Sequence, residues 1–333
     1  PCLLGSTCKA GSCVPGQTEK LFRHTRALTG QLVSYADVTA HPNGGYVAVG
    51  SVRAASGAGG ASWLVDRFDA AGALMAGQGA SGKPLLVTSP VADVGAGAVG
   101  VHATADGVVV LGTVRTTKDG RQVRMLALAA DTQTVVWDRV HGGGQDEVAL
   151  ALAPLDGGGW LAAGQIGSAA ASDGLALRLS ATGLLLATWT QPETGAQALL
   201  DGVGTSDGGA LLVGWRTPPS GKQQAWVLRL DGGWKTVWSH PIGDAAAQAL
   251  TTVQRVGTTT IAAGWQGAPV PHAWWLDLDA LGKIRSQHTT TLPSAALSIA
   301  PLGGGSFALG GRMVAAVSSG WMAGVDGSGH LFW

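Results

Sequence analysis

Asp207-Gly-Gly-Ala-Leu-Leu-Val-Gly214 and, after a loop, Trp226-Val-Leu-Arg-Leu-Asp231 are the segments that decide the fold. Each is a short apolar run bounded by Gly or Asp, and such runs are too short for a helix but typical of strands. The paired glycines after Asp207 supply the positive φ angles that a tight hairpin turn requires. The two segments therefore predict consecutive antiparallel strands.

The first of these phrases occurs six times and ends each time on what we call the closing glycine. The closing glycines are Gly50, Gly112, Gly164, Gly214, Gly264 and Gly310, separated by 62, 52, 50, 50 and 46 residues. Each unit also contains the second phrase, a further apolar stretch often ending in Trp, and a small-residue segment before the glycine turn. Six units of four antiparallel strands predict an all-β, six-bladed β-propeller.

Other arrangements of the units are an open solenoid, which needs polar caps, and a pair of β-sandwiches, which gives no reason for the recurrence. In a closed ring the small-residue strands suit the crowded axis. Leu21–Gly30 and His330–Trp333 both resemble outermost strands. We expect an early-chain strand to join the C-terminal blade and tie the ring shut.

Composition excludes several classes of protein. The chain has 333 residues, 13% of them charged, and its 21 basic and 21 acidic residues give a formal net charge of zero. This balance argues against nucleic-acid binding and against attachment to a membrane surface. No apolar run reaches the 18 residues of a membrane-spanning helix, and the 46% apolar content argues against disorder. No cofactor motif is found, so no cofactor or metal is expected.

Cysteine occurs only at Cys2, Cys8 and Cys13. Close spacing with Gly and Ser between them favours disulfides over a zinc site, which needs four ligands and finds no His nearby. We therefore expect residues 1–18 to be the tail of a cysteine-rich disulfide segment whose earlier part is missing. Residues 19–333 are expected to form the propeller.

The repeated phrases Asp-Gly-Gly, apolar strand, Gly, then Trp-x-Leu-x-Leu-Asp, Gly and Trp resemble those of secreted bacterial β-propellers, over about residues 20–333. The resemblance implies the propeller fold and a secreted or cell-surface location. It implies little about function, because propellers include lectins, enzymes, adhesins and scaffolds.

Basic residues recur just after the closing glycines, on loops that share one face of a propeller. They are Arg53, Arg115, Arg216 and Arg312. Four guanidinium groups on one rim suit a carboxylate, a sulfate or an acidic sugar, although ordinary solvated arginines give the same pattern. Trp215 and Trp265 follow closing glycines directly, beside Arg216 and Gln266, where indole rings either stack on sugars or pack locally. The other repeated tryptophans are expected between blades.

Asp37 and Asp201 each lie thirteen residues before a closing glycine, on the first strands of repeats one and four. In a six-membered ring these strands face each other across the axis. Such a pair is suited to coordinating a cation or to acid–base chemistry, and it is also consistent with solvated channel residues.

Three functions follow as hypotheses. The first is a secreted, non-enzymatic recognition or adhesion propeller that binds a glycan or acidic groups on its loop face. The second is a structural or protein-interaction module whose partner is another extracellular protein. The third is a polysaccharide-degrading enzyme that uses the axial carboxylates.

Overall fold

The structure, a computed structural model, describes residues 6–9, 12–15, 28–56, 59–75, 85–88, 91–93, 95–168, 171–219, 221–243, 247–314 and 319–332. Side chains are described from residue 28 onward. The chain in these ranges consists of β-strands and turns. It contains no helix long and apolar enough to cross a membrane.

The strands follow the predicted repeats. β1 (Ser6–Lys9) and β2 (Ser12–Pro15) form a hairpin of their own. The first repeat contains β3 (Gln31–Ala40), β4 (Tyr46–Ala54), β5 (Ser62–Phe68) and β6 (Leu85–Thr88). The second contains β7 (Gly97–Thr104), β8 (Gly107–Thr116), β9 (Gly120–Ala129) and β10 (Val135–His141). The third contains β11 (Glu147–Pro154), β12 (Trp160–Ser168), β13 (Ala171–Leu179) and β14 (Leu185–Gln191).

The later repeats begin in the same way. The fourth contains β15 (Ala196–Gly204), β16 (Ala210–Thr217), β17 (Gln224–Leu230) and β18 (Thr236–Ile242). The remaining strands are β19 (Gln248–Val256), β20 (Thr259–Gln266), β21 (His272–Leu278), β22 (Ile284–Gly303), β23 (Ser306–Met313) and β24 (Gly320–Val325). All pairings between these strands are antiparallel meanders, as predicted.

The blades number five, so the expected count of six is wrong. The first four repeats each form a four-stranded sheet, whereas repeats five and six share one six-stranded sheet. The reason is the 20-residue strand β22, which pairs with β21 through its first half and with β23 through its second half. No loop separates the fourth strand of repeat five from the first strand of repeat six.

The closing glycine has a packing reason. Each first strand contains a β-bulge, and in repeat four the bulge follows Leu199, the residue that pairs with Gly214. A Cβ added at Gly214 would overlap the carbonyl oxygen of Ala198. The first-strand backbone therefore passes directly over this position, and only glycine fits. In repeat six the equivalent residue is Gly311 rather than Gly310, because Gly311 pairs with Ala296 immediately before the bulge.

Five apolar clusters form the core, each between consecutive repeats. Trp226 fills the space between repeats three and four and is 0% exposed, and Trp274 does the same between repeats four and five. Trp321 packs against the cluster between repeats five and six. The predicted inter-repeat role of these tryptophans is thus what the structure shows.

The boundary between repeat six and repeat one is packed differently from the boundaries between consecutive repeats. Among the buried clusters of the described residues, none joins these two repeats. Leu331 forms a bridge with Val325 of β24, so the end of the chain lies along the last strand. The early-chain strand expected to close the ring falls mostly on residues 21–27, outside the described residues.

The N-terminal hairpin places Cys8 opposite Cys13 in its register. Their side chains and Cys2 lie outside the described part of the chain. The disulfide expectation, like the domain boundary after residue 18, stays a prediction.

Candidate functional site

A cavity of about 620 Å³ lies at the centre of the propeller. Its wall consists of residues from the first strands of all six repeats, including β3 and β22. Asp37 and Asp201 both line it, together with His102 and Arg255. The two carboxylates thus line the same central cavity.

The two carboxylates occupy equivalent positions. Asp201 follows the bulge in β15, and its Oδ1 accepts a hydrogen bond of 2.8 Å from the Gly202 N–H. Its Oδ2 accepts a second bond of 2.8 Å from the Val253 N–H, in the first strand of the next repeat. We call this pair of bonds the hub clasp, because it joins two neighbouring repeats at the axis.

Asp37 forms the same hub clasp in repeat one. Its Oδ1 accepts from the Val38 N–H at 2.8 Å, and its Oδ2 accepts from the Val101 N–H of repeat two at 2.9 Å. A carboxylate with two well-made bonds to fixed backbone groups is held in one orientation. The arrangement explains both aspartates as joints between repeats.

Burial governs the electrostatics of the cavity. It raises the pKa of Asp201 from 3.8 to about 6, against the lowering effect of the two backbone N–H groups. The charge of Asp37 contributes a smaller rise to the pKa of Asp201. Burial also raises the pKa of Asp37. It lowers the pKa of His102, while the nearby Asp37 charge opposes that change.

The four rim arginines all lie near the ends of second strands, but their side chains do not converge. The number of residues between each arginine and the closing glycine of its strand differs. Arg53 and Arg115 lie three residues after that glycine, Arg216 lies two after it, and Arg312 lies one after Gly311. Side chains alternate between the two faces of a strand, so Arg216 points to the opposite face of its sheet from the other three.

Arg216 faces repeat three. Its Nη1 lies 3.4 Å from Glu193 Oε2, in the loop that leads into repeat four. Arg53 and Arg312 are exposed at the surface, and Arg115 lies across the β8–β9 hairpin from Arg121. The four guanidinium groups therefore do not form a single rim, and Arg216 has a carboxylate partner in Glu193.

Trp215 and Trp265 are half-buried and stand at equivalent positions in repeats four and five. Gln266, beside Trp265, is engaged within the protein. Its Oε1 accepts from Gln248 Nε2 at 3.4 Å, and its own Nε2 donates to Thr289 Oγ1 at 2.7 Å. These hydrogen bonds favour local packing, rather than ligand binding, for Gln266 and the neighbouring Trp265.

Arg216 and Glu193 line a cavity of about 330 Å³, which we call the loop-face pocket. Its other walls are Gln197 near the start of β15, Thr217 at the end of β16 and the two prolines that follow it, with Thr194 beside Glu193. The volume lies at the lower end of the range for small-molecule sites, about 300–1,000 Å³. A ligand of monosaccharide size fits such a space.

Gln197 is the unusual residue of this pocket. The residue is 2% exposed, yet neither its Oε1 nor its Nε2 has a hydrogen-bond partner. The Nε of Arg216 is also buried without a partner. Leaving a buried polar group unpaired costs about 1–3 kcal/mol, so a ligand hydroxyl that bonded to this amide would remove that cost.

Gln197 is not among the site residues predicted from the sequence. A signal was present, because Glu147, Gln197 and Gln248 are polar residues at the same place in three successive repeats, at the start of otherwise apolar first strands. The structure shows that the three differ. Glu147 accepts from the Gly143 N–H and Gln248 donates to Gln266, and each has one buried oxygen without a partner, whereas both polar atoms of the Gln197 side chain lack a partner.

Within the described ranges no three His, Cys, Asp or Glu side chains are grouped so as to hold a metal ion. No protein-family model matches the chain, and no curated protein matches it.

Several solved structures resemble it. A prolyl endopeptidase matches with a TM-score of 0.51 and 13% identity, over 90% of this chain and 40% of the other. The Pan2 WD40 domain of Neurospora crassa matches with a TM-score of 0.49 and 12% identity, over 83% and 85% of the two chains. The subtype N11 neuraminidase-like protein of A/flat-faced bat/Peru gives 0.49 and 10%, over 86% and 84%.

At these identities the likeness concerns the fold alone. The protein is an all-β propeller built from repeated antiparallel meanders around a central cavity. Because one fold supports many functions, the function of this protein is argued from its own residues.

Proposed function

We propose that the protein is a non-enzymatic recognition module that binds a glycan in the loop-face pocket. The observation that carries the proposal is the buried Gln197 amide, which has no partner on either polar atom and lines a cavity beside Arg216. The amide NH₂ group donates hydrogen bonds and the neighbouring carbonyl oxygen accepts them. Two adjacent hydroxyls of a sugar can therefore bind to one amide, one by accepting and the other by donating.

The charge of the pocket favours a neutral sugar. Arg216 lies 3.4 Å from Glu193, so the two charges largely offset each other at the pocket wall. Thr194 and Thr217 add hydroxyl groups, and Pro218 and Pro219 provide an apolar wall for the C–H face of a sugar ring. The acidic ligand expected from four converging arginines is therefore less suited to this pocket.

The hub clasp argues against the enzyme hypothesis. Both carboxylate oxygens of Asp37 and of Asp201 already accept backbone hydrogen bonds, Oδ1 from the following residue and Oδ2 from the next repeat. A catalytic acid or nucleophile must reach a substrate, and these groups are fixed by the architecture instead. Secretion to the cell exterior or the bacterial surface belongs to this proposal, as does a second role in contacting an extracellular protein.

The substitution Gln197→Met tests the proposal. Methionine has a similar length and removes both unpaired polar atoms, so we expect the free energy of unfolding to rise by about 1 kcal/mol. On a glycan array, binding by the wild type should be lost in Gln197→Met and weakened at least tenfold in Arg216→Ala. Gln248→Met, at the equivalent position of the next repeat, should leave binding unchanged.

Absence of binding by the wild type to any glycan would overturn the proposal. Binding that survives Gln197→Met would overturn the site, because the ligand would then be held elsewhere.

A further inference from the structure

A second cavity opens at the other end of the strands, on the face formed by the turns within repeats. It has a volume of about 580 Å³ and lies between repeats four and five. Its walls are the end of β15, the start of β16, the β19–β20 turn, the β21–β22 turn and Trp238 of β18. We call it the arginine cleft, because Arg229, Arg255 and Arg285 all line it.

Arginines outnumber carboxylates among the residues that line the arginine cleft. Asp279 is the one carboxylate among its lining residues, against three guanidinium groups. That carboxylate is already engaged, since its Oδ1 accepts hydrogen bonds of 2.8 Å from the N–H groups of Leu281 and Lys283. Asp279 therefore stabilises its own turn; these hydrogen bonds, and to a smaller extent the charge of Arg285, lower the pKa of its carboxyl group.

Two of the arginines are oriented by partners at the rim. Arg229 Nη2 lies 2.7 Å from both carboxylate oxygens of Asp207. The hydrogen bond from the Thr205 hydroxyl and then this contact with Arg229 lower the pKa of Asp207 to about 2. Arg255 Nη1 lies 3.1 Å from Asp156 Oδ2, in a turn of repeat three. Each guanidinium carries five N–H donors, so these pairs leave donors for a further acceptor.

Arg285 differs from the other two. It is exposed, and no carboxylate of the described residues lies within ion-pair distance of it. Hydroxyl groups of Thr258, Thr259 and Thr260 line the same cleft. A guanidinium with no carboxylate within ion-pair distance, beside two oriented guanidinium groups and a row of hydroxyls, is the chemistry that recognises tetrahedral oxyanions.

We propose that the arginine cleft binds a ligand bearing a sulfate or phosphate group, with Arg285 as its principal contact. This site is independent of the loop-face pocket, because the two lie at opposite ends of β15 and β16 and share no residue. Its volume admits more than an isolated ion, so an anionic sugar ester is the class of ligand that fits best.

The test is isothermal titration calorimetry at low ionic strength with three probes: inorganic phosphate, sodium sulfate and a heparin-derived hexasaccharide. The hexasaccharide should bind more tightly than either ion if the ligand is a sugar ester. Free ions binding as tightly as the hexasaccharide would assign the cleft to a small inorganic anion and overturn the sugar-ester assignment.

Variants locate the binding. Arg285→Ala should weaken hexasaccharide binding at least tenfold, and Arg285→Lys should weaken it less, because lysine keeps the charge but not the planar fork. Arg53→Ala is the matched control, since it removes one exposed guanidinium from the other face and should change affinity less than twofold. Gln197→Met should have no effect.

Equal losses in Arg285→Ala and Arg53→Ala would show non-specific charge attraction and overturn the proposal. So would the absence of binding for all three probes. Neither result bears on glycan binding in the loop-face pocket, which depends on Gln197.

Discussion

Repeats one and four each contain a hub clasp, but the first strands that carry it differ in how far neighbouring repeats cover them. Both have the first-strand bulge, the closing glycine and an aspartate that bonds to the next repeat. In repeat four the first strand is covered on both sides, and Ala198 and Leu199 are 1% and 0% exposed. In repeat one, Leu32 and Val38 on the first strand are 50% and 60% exposed.

The comparison separates two causes. Local sequence sets the geometry of the joint, because bulge, glycine and aspartate produce the same hydrogen bonds in both repeats. Packing of neighbouring repeats against the first strand determines how rigid the hub clasp is and how far it is shielded from water. The stability of each joint should therefore depend on its neighbours more than on its own sequence.

The largest effect is expected for Gly214→Ala. The new methyl group would overlap the carbonyl oxygen of Ala198, in a strand that repeats three and five hold in place. We expect a loss of more than about 4 kcal/mol in the free energy of unfolding, measured by urea denaturation. Gly50→Ala meets the Ser34 carbonyl in the same way, but the exposed β3 has room to shift, so the loss should be smaller.

Gly143→Ala is the control for both substitutions, because no atom lies within 4 Å of the position its Cβ would take. Its stability should match the wild type within about 0.5 kcal/mol. Equal losses in Gly214→Ala and Gly50→Ala would contradict the role given to coverage.

The next effect is expected from apolar truncation. Trp226 is 0% exposed between repeats three and four, so Trp226→Ala should lower the free energy of unfolding by about 3–5 kcal/mol. Leu32→Ala, on the exposed first strand of repeat one, should cost less than about 1 kcal/mol. Thermal and urea unfolding of the two variants would measure this contrast, and a similar cost for both would refute it.

The fold was largely readable from the sequence, because each strand is short and bounded by Gly and Asp. The count of blades was not. It depends on β22 running without a break from repeat five into repeat six, and Pro293 in the middle of that run gives no sign of continuity. The position of the closing glycine in repeat six was also missed, since Gly310 and Gly311 are adjacent and only the register distinguishes them.

The candidate site was predicted in part. Spacing from the closing glycine placed Asp37 and Asp201 in one cavity, because equivalent positions in a ring share a distance from the axis. The same reasoning failed for the arginines, since a shift of one residue along a strand reverses the direction of a side chain. Gln197 was missed because its lack of partners depends on contacts between repeats.

A smaller effect is expected from pH. The pKa of Asp201 is about 6 in the folded protein, against an ordinary value of 3.8. Between these two pH values the folded state therefore binds more protons at Asp201 than the unfolded state does. The contribution of Asp201 to stability is therefore complete below about pH 4 and is lost as the pH rises through about 6. Asp201→Asn should flatten this part of the curve of unfolding free energy against pH.

Asp37→Asn is the matched variant in repeat one. The pKa of Asp37 is also raised by burial, so its removal should change the slope in the same direction. Because its strand is more exposed, the change should be smaller. If Asp37→Asn changed the slope of unfolding free energy against pH as much as Asp201→Asn or more, burial by neighbouring repeats would not explain the difference between the two sites.

The hub clasp itself is tested most directly by native-state hydrogen exchange at the amides of Val253 and Val101, which donate to Asp201 and Asp37. The amide of Val253 should exchange more slowly than that of Val101, and Asp201→Asn and Asp37→Asn should each accelerate exchange mainly at the joint they alter. Equal protection of the two amides in the wild type, or protection that survives loss of the carboxylate, would contradict the account.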